Sequence, residues 1–234
     1  MEKREAVLQN NYRQVLQRVR NAEQQFGRET GSVQLLPVSK TFPAEDIESL
    51  ASLGNKAFAE SYLQEAQEKM SALQHLELEW HFIGPVQSNK TSTIARNFHW
   101  VHSVDREKIA RRLNEQRPPE LGPLNICLQL NISAEASKSG VAIGEVSVLA
   151  KQVMTMPNLR LRGLMAIPAR SEDFNDQRRV FRQVREVFDE LVSSGLPLDT
   201  LSMGMSADLE AAIAEGSTIV RVGTDIFGRR TPPR

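Results

Sequence analysis

The chain has 234 residues, with 29 basic and 29 acidic side chains mixed along its length and a formal net charge of zero. That balance excludes a nucleic-acid-binding stripe and an acidic tail, and the length suits a single α/β barrel able to bury a full core. A lone cysteine, Cys127, excludes an internal disulfide and suits a reducing cytoplasm, while no signal-like N-terminus and no membrane-spanning apolar run is present.

The pattern opens with an amphipathic helix. Leu8, Tyr12, Val15, Val19, Ala22 and Phe26 recur at alternating steps of four and three, and Gly27 is the expected stop. Short apolar runs rich in β-formers then fall at 33–38, 56–59, 79–84, 100–104, 125–131, 161–167, 200–205 and 218–223. Helical patterns separate them at 44–53, 62–76, 88–97, 106–116, 144–154, 173–193 and 207–214, with Gly54, Gly195 and Gly216 where helices should end. In the helix over 173–193, Val180, Val184, Val187 and Phe188 share the face expected to pack inward, and the arginines face water. Eight strands alternating with seven helices predict a (β/α)8 barrel of the TIM type, with residues 1–27 as an extra helix packed on a single domain spanning 1–234. A doubly wound open sheet is the runner-up, but no G-x-G-x-x-G follows the first strand.

Function in such a barrel gathers at the C-terminal strand ends. That places Lys40 after strand one, Glu60 and Ser61 after strand two, and Gly84, Gln87, Asn89 and Lys90 after strand three. Ser133 and Lys138 follow strand five, Met165 lies on strand six, Met205 and Ser206 end strand seven, and Arg221, Gly223 and Thr224 end strand eight. Ser206 reads as an N-cap with free N–H groups at Ala207 and Asp208 beyond it, and Gly223 and Thr224 complete a phosphate cup. The same residues also read as caps and turns without a ligand. A barrel-facing Arg221 needs a partner, either a carboxylate or a ring nitrogen or anion of a ligand. Lys40, if its pKa is lowered by burial, is a nucleophilic amine that forms Schiff bases with aldehydes. Lysine plus cup implies a phosphorylated aldehyde, either pyridoxal phosphate or the substrate of a phosphosugar aldolase. His81 reads as a hydrogen-bonded core residue, and His99 and His102 flank Trp100 without a metal-ligand pattern.

The blocks "VSKTFPAEDI", "EWHFIGPVQSNK", "LQLNISAEASKSG", "LRLRGLMAIPA", "LSMGMSADLEAAIAEGST" and "VRVGTDIFG" occur in this order over nearly the whole chain. In them the chain resembles the pyridoxal phosphate homeostasis proteins, whose fold is similar to the barrel domain of alanine racemase. The resemblance implies pyridoxal phosphate held as a Schiff base on Lys40, with Arg221 beside the pyridine nitrogen. It implies Ser206, Gly223 and Thr224 around the phosphate and Met165 beside the cofactor, and assigns no role to Asn89 or Lys90. The family's Gly-Glu-Asn-Tyr run after strand two reads "AESY" here, so Ala59 and Ser61 replace glycine and asparagine, and Ser61 offers only a hydroxyl where an amide would reach the ring.

The resemblance further implies a cofactor carrier that passes pyridoxal phosphate transiently to apo-enzymes, with no catalytic residue; no long apolar seam announces a dimer, so a monomer is expected, and no residue pattern calls for a metal. The alternatives are a racemase-like enzyme and a Schiff-base aldolase. A racemase of this barrel type takes a tyrosine on the far face of the cofactor from a second domain and partner subunit. Eleven residues follow Gly223 here, and the tyrosines are Tyr12 and Tyr62, of which Tyr62 lies near the expected barrel mouth. An arginine at the pyridine nitrogen also weakens the electron sink that carbanion chemistry uses.

Overall fold

The computed structural model describes residues 2–132 and 139–229. Ser133 and Lys138, singled out above, lie outside them.

The first helix, α1 (Glu2–Gln25), precedes eight strands: β1 (Gln34–Pro37), β2 (Ala57–Glu60), β3 (Glu79–Phe82), β4 (Trp100–Val104), β5 (Leu124–Leu130), β6 (Leu159–Ala166), β7 (Thr200–Ser202) and β8 (Ile219–Val222). Seven helices connect them: α2 (Ala44–Ala51), α3 (Leu63–Ala72), α4 (Thr91–Asn97), α5 (Glu107–Gln116), α6 (Ile143–Met154), α7 (Phe174–Ser193) and α8 (Leu209–Ala214). A one-turn helix, α9 (Thr224–Phe227), follows β8. The strands are all parallel, in the order β1-β8-β7-β6-β5-β4-β3-β2. Closure between β1 and β2 is a single bridge, Val38 opposite Ala59, where the Ser39 N–H donates to the Ala59 carbonyl at 3.0 Å. The expected barrel is therefore present, nearly closed.

Alternation along the strands sorts the side chains into two layers. Leu36, Val38, Ala57, Ala59 and Ile219 cluster inside the barrel, and Trp100, Cys127 and Met165 form a second interior cluster. The larger core lies between strands and helices, where Phe58, Phe98, Phe181 and Phe227 are fully buried; truncating any one to alanine costs about 3–5 kcal/mol. Val184, Val187 and Phe188 of α7 are buried there as expected, whereas Val180 is only half-buried.

Helix α1 packs on α2, α8 and α9. Arg4 donates to Asp46 at 2.6 Å and to the Phe227 carbonyl at 2.9 Å. At its far end the buried Glu23 accepts from Arg20 at 2.8 Å and from the Gly31 and Val33 N–H groups at 3.0 and 2.7 Å, so it holds the entry into β1. Burial alone would raise its pKa, but these donors keep Glu23 below its ordinary value.

Several boundaries differ from the expected ones. The helix expected over 88–97 is a 3-10 turn, Ser88–Lys90, followed by α4, and a second 3-10 turn, Pro119–Leu121, lies between α5 and β5. Strand β6 begins two residues early, because Leu159 is buried in the alternation that Leu161 continues. The helix expected from 207 starts at Leu209. Among the described residues no helix is long and apolar enough to cross a membrane.

Candidate functional site

Lys40 follows β1 in the register of the inward Leu36 and Val38, and is half-buried. The backbone on both sides of it is fastened from behind. Ser39 Oγ donates to Glu60 Oε1 at 2.7 Å. Lys69 of α3 is only 5% exposed, and its ammonium donates to the Ser39 carbonyl at 2.8 Å, to Glu60 Oε1 at 2.7 Å and to Glu65 Oε1 at 2.5 Å. Glu65 Oε1 also accepts from the Thr41 N–H at 2.6 Å. Thr41 has φ 71°, the one left-handed non-glycine residue among those described, and this clamp holds it there. Burial raises the pKa of Glu60, while Lys69 and Ser39 pull it back.

Strands β1 and β8 are neighbours, with Leu36 opposite Arg221 and the Val38 N–H donating to the Val222 carbonyl at 2.9 Å. This brings the Lys40 loop beside Gly223 and Thr224. A Cβ on Gly223 would lie 3.3 Å from the Val38 carbonyl oxygen, so glycine permits the close approach of the two strand ends. Ser61 continues the inward register of Ala57 and Ala59 and is half-buried. Its backbone lies so near Gly84 that any side chain on that glycine would collide with it.

Arg221 is 2% exposed. Its Nη1 donates to the Ser202 carbonyl at 2.5 Å and to Ser202 Oγ at 2.7 Å, and its Nη2 donates to the Ala166 carbonyl at 3.0 Å. Of the two kinds of partner open to it, a carboxylate is not at ion-pair distance among the described residues. Burial brings its pKa down to about 10, partly offset by the field of Asp208, so it remains cationic at neutral pH. Met165 lies opposite Ser202, fully buried with Trp100 and Cys127. The Cys127 thiol is pushed up to about 12 by burial and is inert.

The rim between β7 and α8 differs from expectation. Asp208, not Ser206, holds the N-cap position of α8, and its Oδ1 accepts from the Met205 N–H at 2.6 Å. The Asp208 N–H, expected to be free, donates to the Met205 carbonyl at 3.1 Å. A carboxylate reaching back along its own chain closes a turn more tightly than the Ser206 hydroxyl would, and delays the helix by two residues. Ser206 thus lies half-buried within a turn. Arg18 of α1 braces this rim: it donates to the Ser206 carbonyl at 3.0 Å, to Glu210 at 2.9 Å and to Asp225 of α9 at 2.6 Å.

Asn89 and Lys90 are exposed on the 3-10 turn after β3, and Tyr62 is 51% exposed. His81 and His102 are fully buried and hydrogen-bonded to each other, and the described residues hold no cluster of three metal ligands. Sequence reasoning missed Lys69, Ser202 and the capping carboxylate of Asp208. The available signal for Ser202 was its inward register two residues beyond Thr200 on β7.

These features define the class: a (β/α)8 barrel in which the pairing of β1 with β8 puts a lysine, a buried arginine and a glycine at neighbouring C-terminal strand ends. The model of the alanine racemase N-terminal domain family matches residues 7–231. A pyridoxal phosphate homeostasis protein of Pseudomonas aeruginosa is 54% identical over 96% of this chain and 96% of its own length. A solved Bifidobacterium adolescentis protein, described only as unknown, superposes with TM-score 0.89 at 33% identity over 97% of both chains. PipY of Synechococcus elongatus, solved with PLP bound, superposes with TM-score 0.80 at 33% identity, covering 90% of this chain and all of that one. The chain belongs to the pyridoxal phosphate homeostasis protein family.

Proposed function

We propose that the protein binds pyridoxal 5'-phosphate in the barrel mouth as a Schiff base on Lys40, and serves intracellular pyridoxal phosphate homeostasis by holding and handing over the cofactor. The observation that carries this is the pairing of β1 with β8. It sets the Lys40 loop beside Gly223 and Thr224, with the buried Arg221 cation two residues before Gly223 on β8 and, among the described residues, hydrogen-bonded to neutral acceptors. When bound, the cofactor supplies an aldehyde that condenses with the Lys40 amine and releases water. Ser206, Gly223 and Thr224 take the phosphate, Arg221 faces the ring nitrogen, and Ser61 and Met165 border the ring.

A carrier fits better than an enzyme. Racemisation needs two acid–base groups at one carbon, and Tyr62, the tyrosine nearest the mouth, is turned to solvent. The protein acts as a monomer on the whole chain 1–234 in the cytoplasm, and meets apo-enzymes that depend on the cofactor only transiently. Borohydride reduction of the loaded protein followed by peptide mapping tests the reading. The expected tag is on Lys40; a tag on Lys90 or Lys138 with none on Lys40 overturns it.

A further inference from the structure

A chain of hydrogen bonds crosses the barrel interior below the mouth. Glu79 at the start of β3 meets His81 Nε2 at 2.8 Å, and His81 Nδ1 meets His102 Nε2 of β4 at 2.9 Å. His102 Nδ1 meets Ser202 Oγ of β7 at 2.8 Å, and Ser202 Oγ meets Arg221 Nη1 of β8 at 2.7 Å. His81, His102 and Ser202 are fully buried, whereas the Glu79 side chain is 45% exposed at the other end of the barrel. We propose that this chain is polarised in one direction and fixes the orientation of Arg221, which makes Glu79, His81 and His102 positioning residues for the cofactor site; this rests on the functional reading above.

The direction follows from the two ends. A guanidinium has only donors and a carboxylate only acceptors. Arg221 therefore donates to Ser202 Oγ; that hydroxyl has a second lone pair, so its own proton is directed from the Glu79 end, which requires it to go to His102 Nδ1. His102 then carries its proton on Nε2 and gives that bond to His81 Nδ1, and His81 carries its own on Nε2 towards Glu79. Reversing any link sets two protons or two lone pairs face to face. Both imidazoles are neutral: burial lowers the pKa of each, only partly opposed at His81 by Glu79 and reinforced at His102 by His81 and Arg221. Glu79 is the ionised end, held below its ordinary pKa by the His81 hydrogen bond. Trp100 stacks on His81 with ring centroids 5.4 Å apart and an interplanar angle of 7°, and so sets the plane of the first imidazole.

The consequence lies at Arg221. Its Nη1 is fixed by Ser202 and its Nη2 by the Ala166 carbonyl, so the planar guanidinium has one orientation. The polarised chain links it to the negative charge of Glu79 without placing a carboxylate in the site. The chain moves no proton at neutral pH, because its donor end is still cationic there.

Long-range proton–nitrogen spectra of histidine-labelled protein test the polarity directly. His81 and His102 should both be neutral with the proton on Nε2. A proton on Nδ1 of His102 overturns the proposal without reference to any ligand. Replacing the acceptor by Glu79→Leu should release the His81 tautomer into a mixture, and Glu79→Gln, which still offers an oxygen, should retain it; an unchanged tautomer in Glu79→Leu refutes the polarity. Affinities then test the positioning. His102→Leu should weaken pyridoxal phosphate and phosphate-free pyridoxal by the same factor, about tenfold, as expected for one misdirected charged hydrogen bond. Glu79→Leu, altered at the exposed end where folding is least at risk, should weaken both in the same sense, and Glu79→Gln should restore them. Unchanged affinities in folded His102→Leu or Glu79→Leu overturn the positioning role. Wild-type protein with the stated tautomers that fails to bind pyridoxal phosphate refutes the functional reading, and this role with it, but not the polarity of the chain.

Discussion

Replacing Lys69 by methionine should destabilise the protein in a manner that depends on pH. Lys69 is 5% exposed and Glu60 is fully buried, and the ammonium holds Glu60, Glu65 and the Ser39 carbonyl together. Methionine fills much of the same volume but leaves a buried carboxylate without its cation. Breaking such a pair from one side costs about 3–5 kcal/mol. The loss should be nearer about 3 kcal/mol, because Glu65 keeps contact with water and Glu60 relieves part of the strain by taking up a proton.

That proton sets the sign. The folded-state pKa of Glu60 is already raised, chiefly by burial, and loss of Lys69 raises it further. The native variant then binds more protons than its unfolded chain, so its stability falls as pH rises from the ordinary glutamate range through the raised value. Urea unfolding followed by circular dichroism at about pH 5 and about pH 8, on either side of that range, should show the larger deficit at the higher pH. Adding Glu60→Gln to the variant should abolish the difference between the two pH values. A loss under about 1 kcal/mol at the higher pH, or one equal at both, would refute the account of the clamp.

Pyridoxal without its phosphate should bind about a hundredfold or more weakly than pyridoxal phosphate, since several charge-assisted hydrogen bonds are lost; equal affinities in a fluorescence titration would place the phosphate elsewhere. Arg18→Ala should lower stability by only about 1 kcal/mol, as the side chain is partly exposed, yet weaken pyridoxal phosphate several-fold more than pyridoxal, because Arg18 braces the Ser206 and Asp225 loops. Loaded protein incubated with amino acids in deuterated water should exchange α-protons at well under about 1 s⁻¹. Rapid exchange abolished by Lys40→Ala and Tyr62→Phe would make it a racemase-like enzyme.

The barrel was legible because its alternation is local: each apolar run and each helical face can be read within about a dozen residues. The places of Lys40, Arg221 and Gly223 were legible for the same reason, since a strand end is a place in the sequence. Lys69 was not. It sits in a charged helical stretch, "QEKMSA", and is buried only because α3 returns over the end of β1. The link between His81 and Ser202 was equally hidden, because it depends on inward registers from β3, β4 and β7 meeting across the interior. The start of α8 was misread because Ser206 and Asp208 are both good caps, and the contact of Asp208 with the Met205 N–H decides between them.

The junction of β1 and β2 has a consequence for motion. Elsewhere round the barrel neighbouring strands are joined by main-chain ladders or by several backbone links, but here one bridge serves, and the rest of the closure is made by Ser39, Glu60 and Lys69. Side-chain closures part at lower free energy than ladders, because fewer backbone hydrogen bonds must open together. The Ser39 amide should therefore exchange with solvent deuterium sooner than those of β5 and β6, and the barrel should widen first along the line that carries Lys40 and Ser61.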